Sequence, residues 1–306
     1  MKILVGLVLI AITIYSGSPV VSLFLGVLYS FSFNLPDDYF TKKYGSTLIQ
    51  IGIVILGLSI SLTETYALTS IYLPYISLFV MIIFFFGIFL GKLFGVDNKT
   101  TLLISSGTAI CGASAIAAIS PIIRANSNQL LISFTIIFLL NSIAIIIFPY
   151  IGNYLSLNGH MFGAWVALTI HDTSSVVGAA MAFGNNSIET AATLKLGRTL
   201  FIIPLIIFLS YKFKTNDSNN IKFPFFVLFF IISIFLGSFL DFTEQSIINI
   251  QLSSKIFLLF GLFFIGSQIS LKSISVLQPN TLLLGCILWF IAIPSSFYLV
   301  LNAIHP

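Results

Sequence analysis

Gly107-Thr-Ala-Ile-Cys-Gly-Ala-Ser-Ala-Ile-Ala-Ala-Ile-Ser-Pro121 is the stretch whose reading decides the fold. It is built from small and hydroxylated residues, yet it lies among long runs of Leu, Ile and Phe. Inside a bilayer there is no water, so every backbone N–H and C=O needs a partner within the protein. A segment this poor in side-chain hydrophobicity is not built to face lipid. Two structures are compatible with it. An unbroken helix would present small residues four apart (Gly107/Cys111, Ala113/Ala117, Ser114/Ala118) to a closely approaching neighbour. Alternatively the helix breaks near Gly112, and the freed backbone groups of two half-helices line a polar site at mid-membrane.

The rest of the chain supplies the membrane setting. Of its 306 residues 58% are hydrophobic and only 7% charged, and the mean hydropathy is +1.10. Soluble domains carry about a quarter charged residues, so the fold class is an all-α polytopic membrane protein whose solvent is the lipid bilayer. The net charge of +4 is scattered, without a basic cluster to follow a phosphate backbone, which excludes nucleic acid as a partner. Cys111 and Cys286 offer neither a disulfide framework nor a CxxC pair. His160, His171 and His305 lack ligand spacing, so neither a metal nor a cofactor is expected.

Eleven apolar segments follow one another, at about 3–15, 20–34, 46–62, 71–91, 100–123, 129–149, 161–183, 188–210, 223–240, 250–271 and 280–302. Most approach the ~20 residues that cross a ~30 Å hydrocarbon core. The first begins after Lys2 and ends at Ser-Gly-Ser-Pro, like a signal peptide, but in a chain this apolar a short first helix is the better reading. The first two are short for a span, which calls for tilt, a thinned bilayer or a hairpin. The connecting loops leave no room for a soluble domain, so residues 1–306 form a single integral membrane domain.

With a cytoplasmic N-terminus, the inner loops hold Lys2, Lys42, Lys43, Lys92, Lys99, Lys212, Lys214, Lys222 and Lys272, and the outer ends only Arg124 and Lys255. That bias favours N-in, C-out and multi-pass insertion in the cell (inner) membrane. A weak internal echo pairs Leu56–Leu62 (LGLSISL) with Ile265–Leu271 (IGSQISL). The two segments would run in opposite directions, as inverted repeats of transporters do.

A second polar stretch lies in the seventh segment, Gly163–Gly178 (GAWVALTIHDTSSVVG). His171, Asp172, Thr173, Ser174 and Ser175 in mid-span are costly in lipid, and such residues mark a substrate or proton path. The bland alternative is a satisfied hydrogen bond between helices, or a loop that splits the segment. The eighth segment adds Lys195 and Arg198, three apart and so on one face. A rise of 1.5 Å per residue puts them ~10 and ~15 Å deep, His171 and Asp172 ~15 Å, and Gly112 ~18 Å from their respective sides. All converge near mid-depth.

At Gly107–Pro121 and Gly163–Gly178, followed by Lys195 and Arg198, the chain resembles the YeiH family of bacterial inner-membrane proteins, which carries the label of sulfate export. The resemblance extends over nearly the whole chain. The first motif is close to the family form; at the second, family members often have Gln where this chain has Ser175 and can have Glu where it has Asp172. The resemblance implies inverted-repeat helices with discontinuous spans, related to bile-acid/sodium symporter-like folds.

Residues and resemblance together point to a secondary transporter rather than an enzyme. It would export a small inorganic or sulfur-containing, sulfate-like anion by alternating access. The binding set is Gly107, Thr108, Cys111, Gly112, Ser114, His171, Asp172, Thr173, Ser174, Lys195 and Arg198. The half-helix N-terminus and the hydroxyls would ligate the anion, the basic pair would supply countercharge, and His171 could couple protons. The alternative is a proton- or sodium-coupled transporter of cations or organic anions with Asp172 as the titrating carboxylate. A nucleophile at Cys111 or Ser114 lacks an oriented triad, and a polar-lined channel is a further alternative. Oligomeric state, transport direction and coupling ion stay open.

Overall fold

The computed structural model of the chain describes residues 2–33, 35, 39–184, 186–213, 225–240, 242–268 and 277–304. Among the described residues each of the eleven apolar segments forms helix, and there is no strand. The fold is an all-α polytopic membrane protein.

Two of the eleven segments do not run through. The fifth breaks into α5 (Asn98–Ala109) and α6 (Ala113–Ile119), and the seventh into α8 (Gly159–Thr169) and α9 (Thr173–Phe183). Each pair turns back on itself. A continuous helix would hold Lys99 and Arg124 roughly 38 Å apart, yet the Lys99 ammonium donates to the Arg124 carbonyl at 2.7 Å. Beside it the Gln129 amide donates to Asp97 at 2.7 Å. In the second pair, Phe162 and Phe183 would lie about 32 Å apart along a straight helix, but their rings stack with centroids 3.9 Å apart. Both are re-entrant hairpins. Fold-back had no signature in hydropathy, which measures the length of an apolar run and not its direction.

The long helix α7 (Ser127–Tyr154) joins the two hairpins. It starts beside the open end of the first, where Asn126 and Gln129 form a reciprocal capping box. It ends beside the open end of the second, where Gly152 lies against Phe162 and Phe183. The hairpins therefore enter from opposite faces. From the second one, α10 (Ser187–Thr199) and α11 (Ile202–Phe213) return as a single apolar span of 27 residues.

Around this centre the helices sort into two bodies. Together with α4 (Leu62–Leu93) and α14 (Pro279–Ile304), the hairpins, α7 and α10–α11 make one. In it α4 and α14 are antiparallel: Tyr75 donates to the Asn302 carbonyl at 3.2 Å, and Asn280 to that of Phe94 at 3.1 Å.

The other body comprises α1 (Lys2–Ser16), α2 (Pro19–Phe33), α3 (Phe40–Gly57), α12 (Phe225–Phe239) and α13 (Glu244–Gly266). The first two are the hairpin that their length allowed, tied by Lys2 to the Phe33 carbonyl and Tyr29 to that of Lys2. In α3 and α13, Gly45 meets Ile265 and Gln268 while Gly52 meets Ser254 and Leu258, so the two run antiparallel at close approach. They carry the two halves of the internal echo: Leu58–Ser61 is the turn after α3, and Ile269–Leu271 lies outside the described residues. Across the seam one apolar cluster gathers Ile145, Val177 and Leu196 with Leu23, Ile49 and Leu258, and at its ends Gln251 donates to Glu189 (3.4 Å) and the Leu62 amide to Ser238 Oγ (3.1 Å).

The fold-back is open to a labelling experiment. In a Cys286→Ser background, Lys99→Cys and Arg124→Cys are expected to react with an impermeant maleimide from the same side of sealed vesicles, since native Cys111 is buried whereas Cys286 is part-exposed. Reaction from opposite sides would rule out the first hairpin.

Candidate functional site

The tips of the two hairpins meet. Gly112 adopts φ +57° and ψ −117°, a conformation that side chains resist, and it lies against the backbone of His171 and Asp172. A Cβ there would stand 3.3 Å from Asp172 N and from His171 C. At the opposing tip, Ile170 and Asp172 are extended, with ψ of 138° and 143°. Of the two structures compatible with Gly107–Pro121, the broken one is realised.

Breaking a helix orphans its last carbonyls. Those of α5 and α8 converge on one another, both at negative dipole ends. Lys195 and Arg198 of α10 are inserted between them, each fully buried. The Arg198 guanidinium donates from Nε to Ala109 O (2.7 Å), from Nη1 to Ala167 O (3.0 Å) and Leu168 O (2.5 Å), and from Nη2 to Thr108 O. Phe79 of α4 packs its ring 5.0 Å from the guanidinium carbon. Lys195 Nζ donates to Ile110 O (3.1 Å) and Ile170 O (2.7 Å). Neighbouring amides take two more, Ile110 N to Ser106 O and Gly112 N to Gly107 O. The basic pair thus closes both first arms.

The second arms present the opposite polarity. Asp172 is the N-cap of α9 and accepts from Ser174 N at 3.0 Å. It is half-buried, as is Ser114 in the first turn of α6. Thr108, Cys111, His171, Thr173 and Ser174 are buried. Gly107 lies against Ile116 of the returning arm and Ile137 of α7. All eleven residues expected at a site therefore gather around the two tips, in two roles. Lys195 and Arg198 hold carbonyls, while Asp172 and Ser114 stand at the accessible edge.

Four side chains were not anticipated here: Asn141, Thr169, Ser296 and Trp165. Asn141 of α7 accepts from His171 N at 3.2 Å, and its amide oxygen lies 3.1 Å from His171 Nδ1. A lone Asn within the apolar run 129–149 was the available signal. Thr169 bonds Ser296 at 2.7 Å, and Trp165 donates to the Ile293 carbonyl, both tying the second hairpin to α14. Nothing in the sequence pairs those positions.

Comparison with known proteins agrees with this membrane architecture. The profile of the family described as Conserved hypothetical protein 698 matches residues 3–301. A UPF0324 membrane protein of Photobacterium profundum is 41% identical over 290 residues, covering 94% of this chain and 87% of its own length. Those of Bacteroides thetaiotaomicron and Vibrio parahaemolyticus are each 38% identical, covering 90% and 96% of this chain and 83% and 96% of their own lengths. No solved structure matches the chain.

Replacing Arg198 with Met would leave four buried carbonyls short of a donor, at about 1–3 kcal/mol for each one left unsatisfied. Arg198→Met is expected to lose its folded, monodisperse peak in detergent, and Arg198→Lys to recover part of the thermal stability. A wild-type melting temperature in Arg198→Met would refute the capping role.

Proposed function

This chain belongs to the YeiH family of membrane proteins, whose profile is described as Conserved hypothetical protein 698, and from that premise we propose that it is a secondary transporter carrying a small, sulfate-like anion by alternating access. The observation that carries this reading is the meeting of two opposed hairpin tips around a buried, doubly basic centre. Helix ends bear roughly half a charge each, negative at the C-terminus and positive at the N-terminus. The four ends at the tips cancel in pairs, and Lys195, Arg198 and Asp172 leave a surplus of about one positive charge. An anion is the species that balances it.

Asp172 sets the terms of entry. Its carboxylate already accepts from the Ser174 amide of α9, a donor that an incoming anion would use. A proton taken up by Asp172 weakens its hold on that amide and raises the local surplus, so anion and proton would bind together. Ser114, Thr173 and Ser174 then complete the ligation. The apolar seam between the two bodies supports alternating access, because sliding across it breaks few hydrogen bonds. The hairpin geometry supports the orientation read from the loop charges. Arg124 shares a face with Lys99 and joins the basic residues of the inner loops, leaving Lys255 as the outer exception. The N-terminus is then cytoplasmic and the C-terminus outside, in the inner membrane.

A second reading rests on the same half-buried carboxylate: Asp172 as the carrier of sodium or protons, the anion being incidental. The two separate in proteoliposomes. Under the anion reading, Asp172→Asn retains sulfate-like flux and loses most of its dependence on a pH gradient. Under the second, the same variant loses transport outright. Wild-type protein that moves no sulfur oxyanion at any pH would sink the anion reading.

A further inference from the structure

The two hairpins are covered unequally. The return arm of the second, α9, is buried throughout Thr173–Ala180. It packs on α2, α3 and α13 of the other body as well as on α7, α8 and α10 of its own. A Cβ at Gly178 would stand 3.0 Å from a methyl of Leu262 in α13, so that cover is tight. Among the described residues the seam cluster draws on α7, α9 and α10, through Ile145, Val177 and Leu196, and on none of α5, α6 or α11. Both hydrogen bonds at its margins lie on the face where the second hairpin opens. Glu189 is in the first turn of α10 there, and α4 reaches the Lys99 face only at its far end, where Gly91 meets Thr101.

The return arm of the first hairpin, α6, has no such cover. Its principal neighbours are α5, α7 and α11, all from its own body. One side, with Ile116 and Ile119, is buried in the core of that body. On the other, Ala113, Ser114 and Ser120 are half-buried and Ala117 is exposed. The spacing puts Ala113, Ala117 and Ser120 on a single face. That face leads from the tips towards Arg124, beside Lys99. Where it begins, Asp172 is half-buried against Gly112. A carboxylate and serine hydroxyls at this depth are not presented to lipid.

We infer that this is the conformer open to the face of Lys99 and Arg124, and that the α2–α3–α13 side of the other body, now seated on α9, seats on the bare side of α6 when the bodies slide. The occupant follows from what covers α9. Those three helices already pack on a return arm of small and hydroxylated residues, and Ala113–Ala118 offers the same kind of surface. One sliding motion then opens one face while it closes the other. The second conformer rests on the alternating-access reading; that α6 is uncovered in the first rests on packing alone.

A disulfide across the covered side tests this. The Cβ position at Gly178 lies 3.0 and 3.4 Å from the two methyls of Leu262, so Gly178→Cys and Leu262→Cys fall near the ~3.5–4.5 Å Cβ separation of a disulfide. Ala117→Cys in a Cys286→Ser background is the reporter. An impermeant maleimide added from the Lys99 face is expected to label it, several-fold faster in the oxidised than in the reduced protein. No labelling from that face in the oxidised protein would overturn the inference, because α6 would then face lipid or protein. Equal rates in the two forms would overturn the exchange of cover. Single variants repeat the test without the bridge: Ala117→Cys should label from the Lys99 face while Val177→Cys is protected from both, and the reverse order would overturn the inference. Sulfate flux is read separately, blocked by the bridge and restored by reduction. A protein that labels as expected but carries no sulfate refutes the substrate and leaves the conformer standing.

Discussion

The structure depends on two cations placed where two helix C-termini point at each other. A re-entrant hairpin buries a broken backbone in a medium that tolerates none unpartnered. Two such hairpins meeting from opposite faces would double that cost and set negative dipole ends against each other. Arg198 and Lys195 offset both terms with one pair of side chains from one helix. The planar guanidinium reaches carbonyls on both hairpins together, Thr108 and Ala109 on one and Ala167 and Leu168 on the other. A lysine in its place would remain a point charge with fewer donors.

That arrangement divides the tips by polarity. The carbonyl ends are sealed by donors from α10, so on the proposed anion the basic pair would act through its field and not by contact. The amide ends stay closer to the accessible edge, where Asp172 caps α9. On the proposed reading such a site would be tuned by a single carboxylate: its charge would alter both its hold on the Ser174 amide and the electrostatic surplus, a physical route from proton uptake to anion binding.

The two bodies differ in how they are held together. Within each, helices approach through small residues or are fastened by polar ties such as Asn280 to the Phe94 carbonyl and Tyr29 to the Lys2 carbonyl. Between them the buried contact is side-chain packing of Ile, Val and Leu, with the hydrogen bonds Gln251–Glu189 and Leu62–Ser238 at the exposed margins. Packing of that kind tolerates displacement, whereas the buried hydrogen bonds at the hairpin tips do not. Any motion that exposes the tips alternately to the two faces is therefore easier along the seam than within either body.

Composition by itself determined the class of molecule: an apolar, nearly uncharged chain has only the bilayer as a solvent, and apolar runs of about 20 residues satisfy their backbone there as helices. The gathering of Gly107–Ser114, His171–Ser174, Lys195 and Arg198 was also legible, because small, hydroxylated and ionisable residues are too costly in lipid to sit there without partners. Tertiary structure alone decided that the fifth and seventh segments turn back. A run of apolar residues has the same hydropathy whether it crosses or returns, and the difference lies in contacts such as Lys99 with Arg124 and Phe162 with Phe183. It also decided what the basic pair does. Charge and depth could be estimated along one helix, but which atoms face that charge depends on where two other segments end.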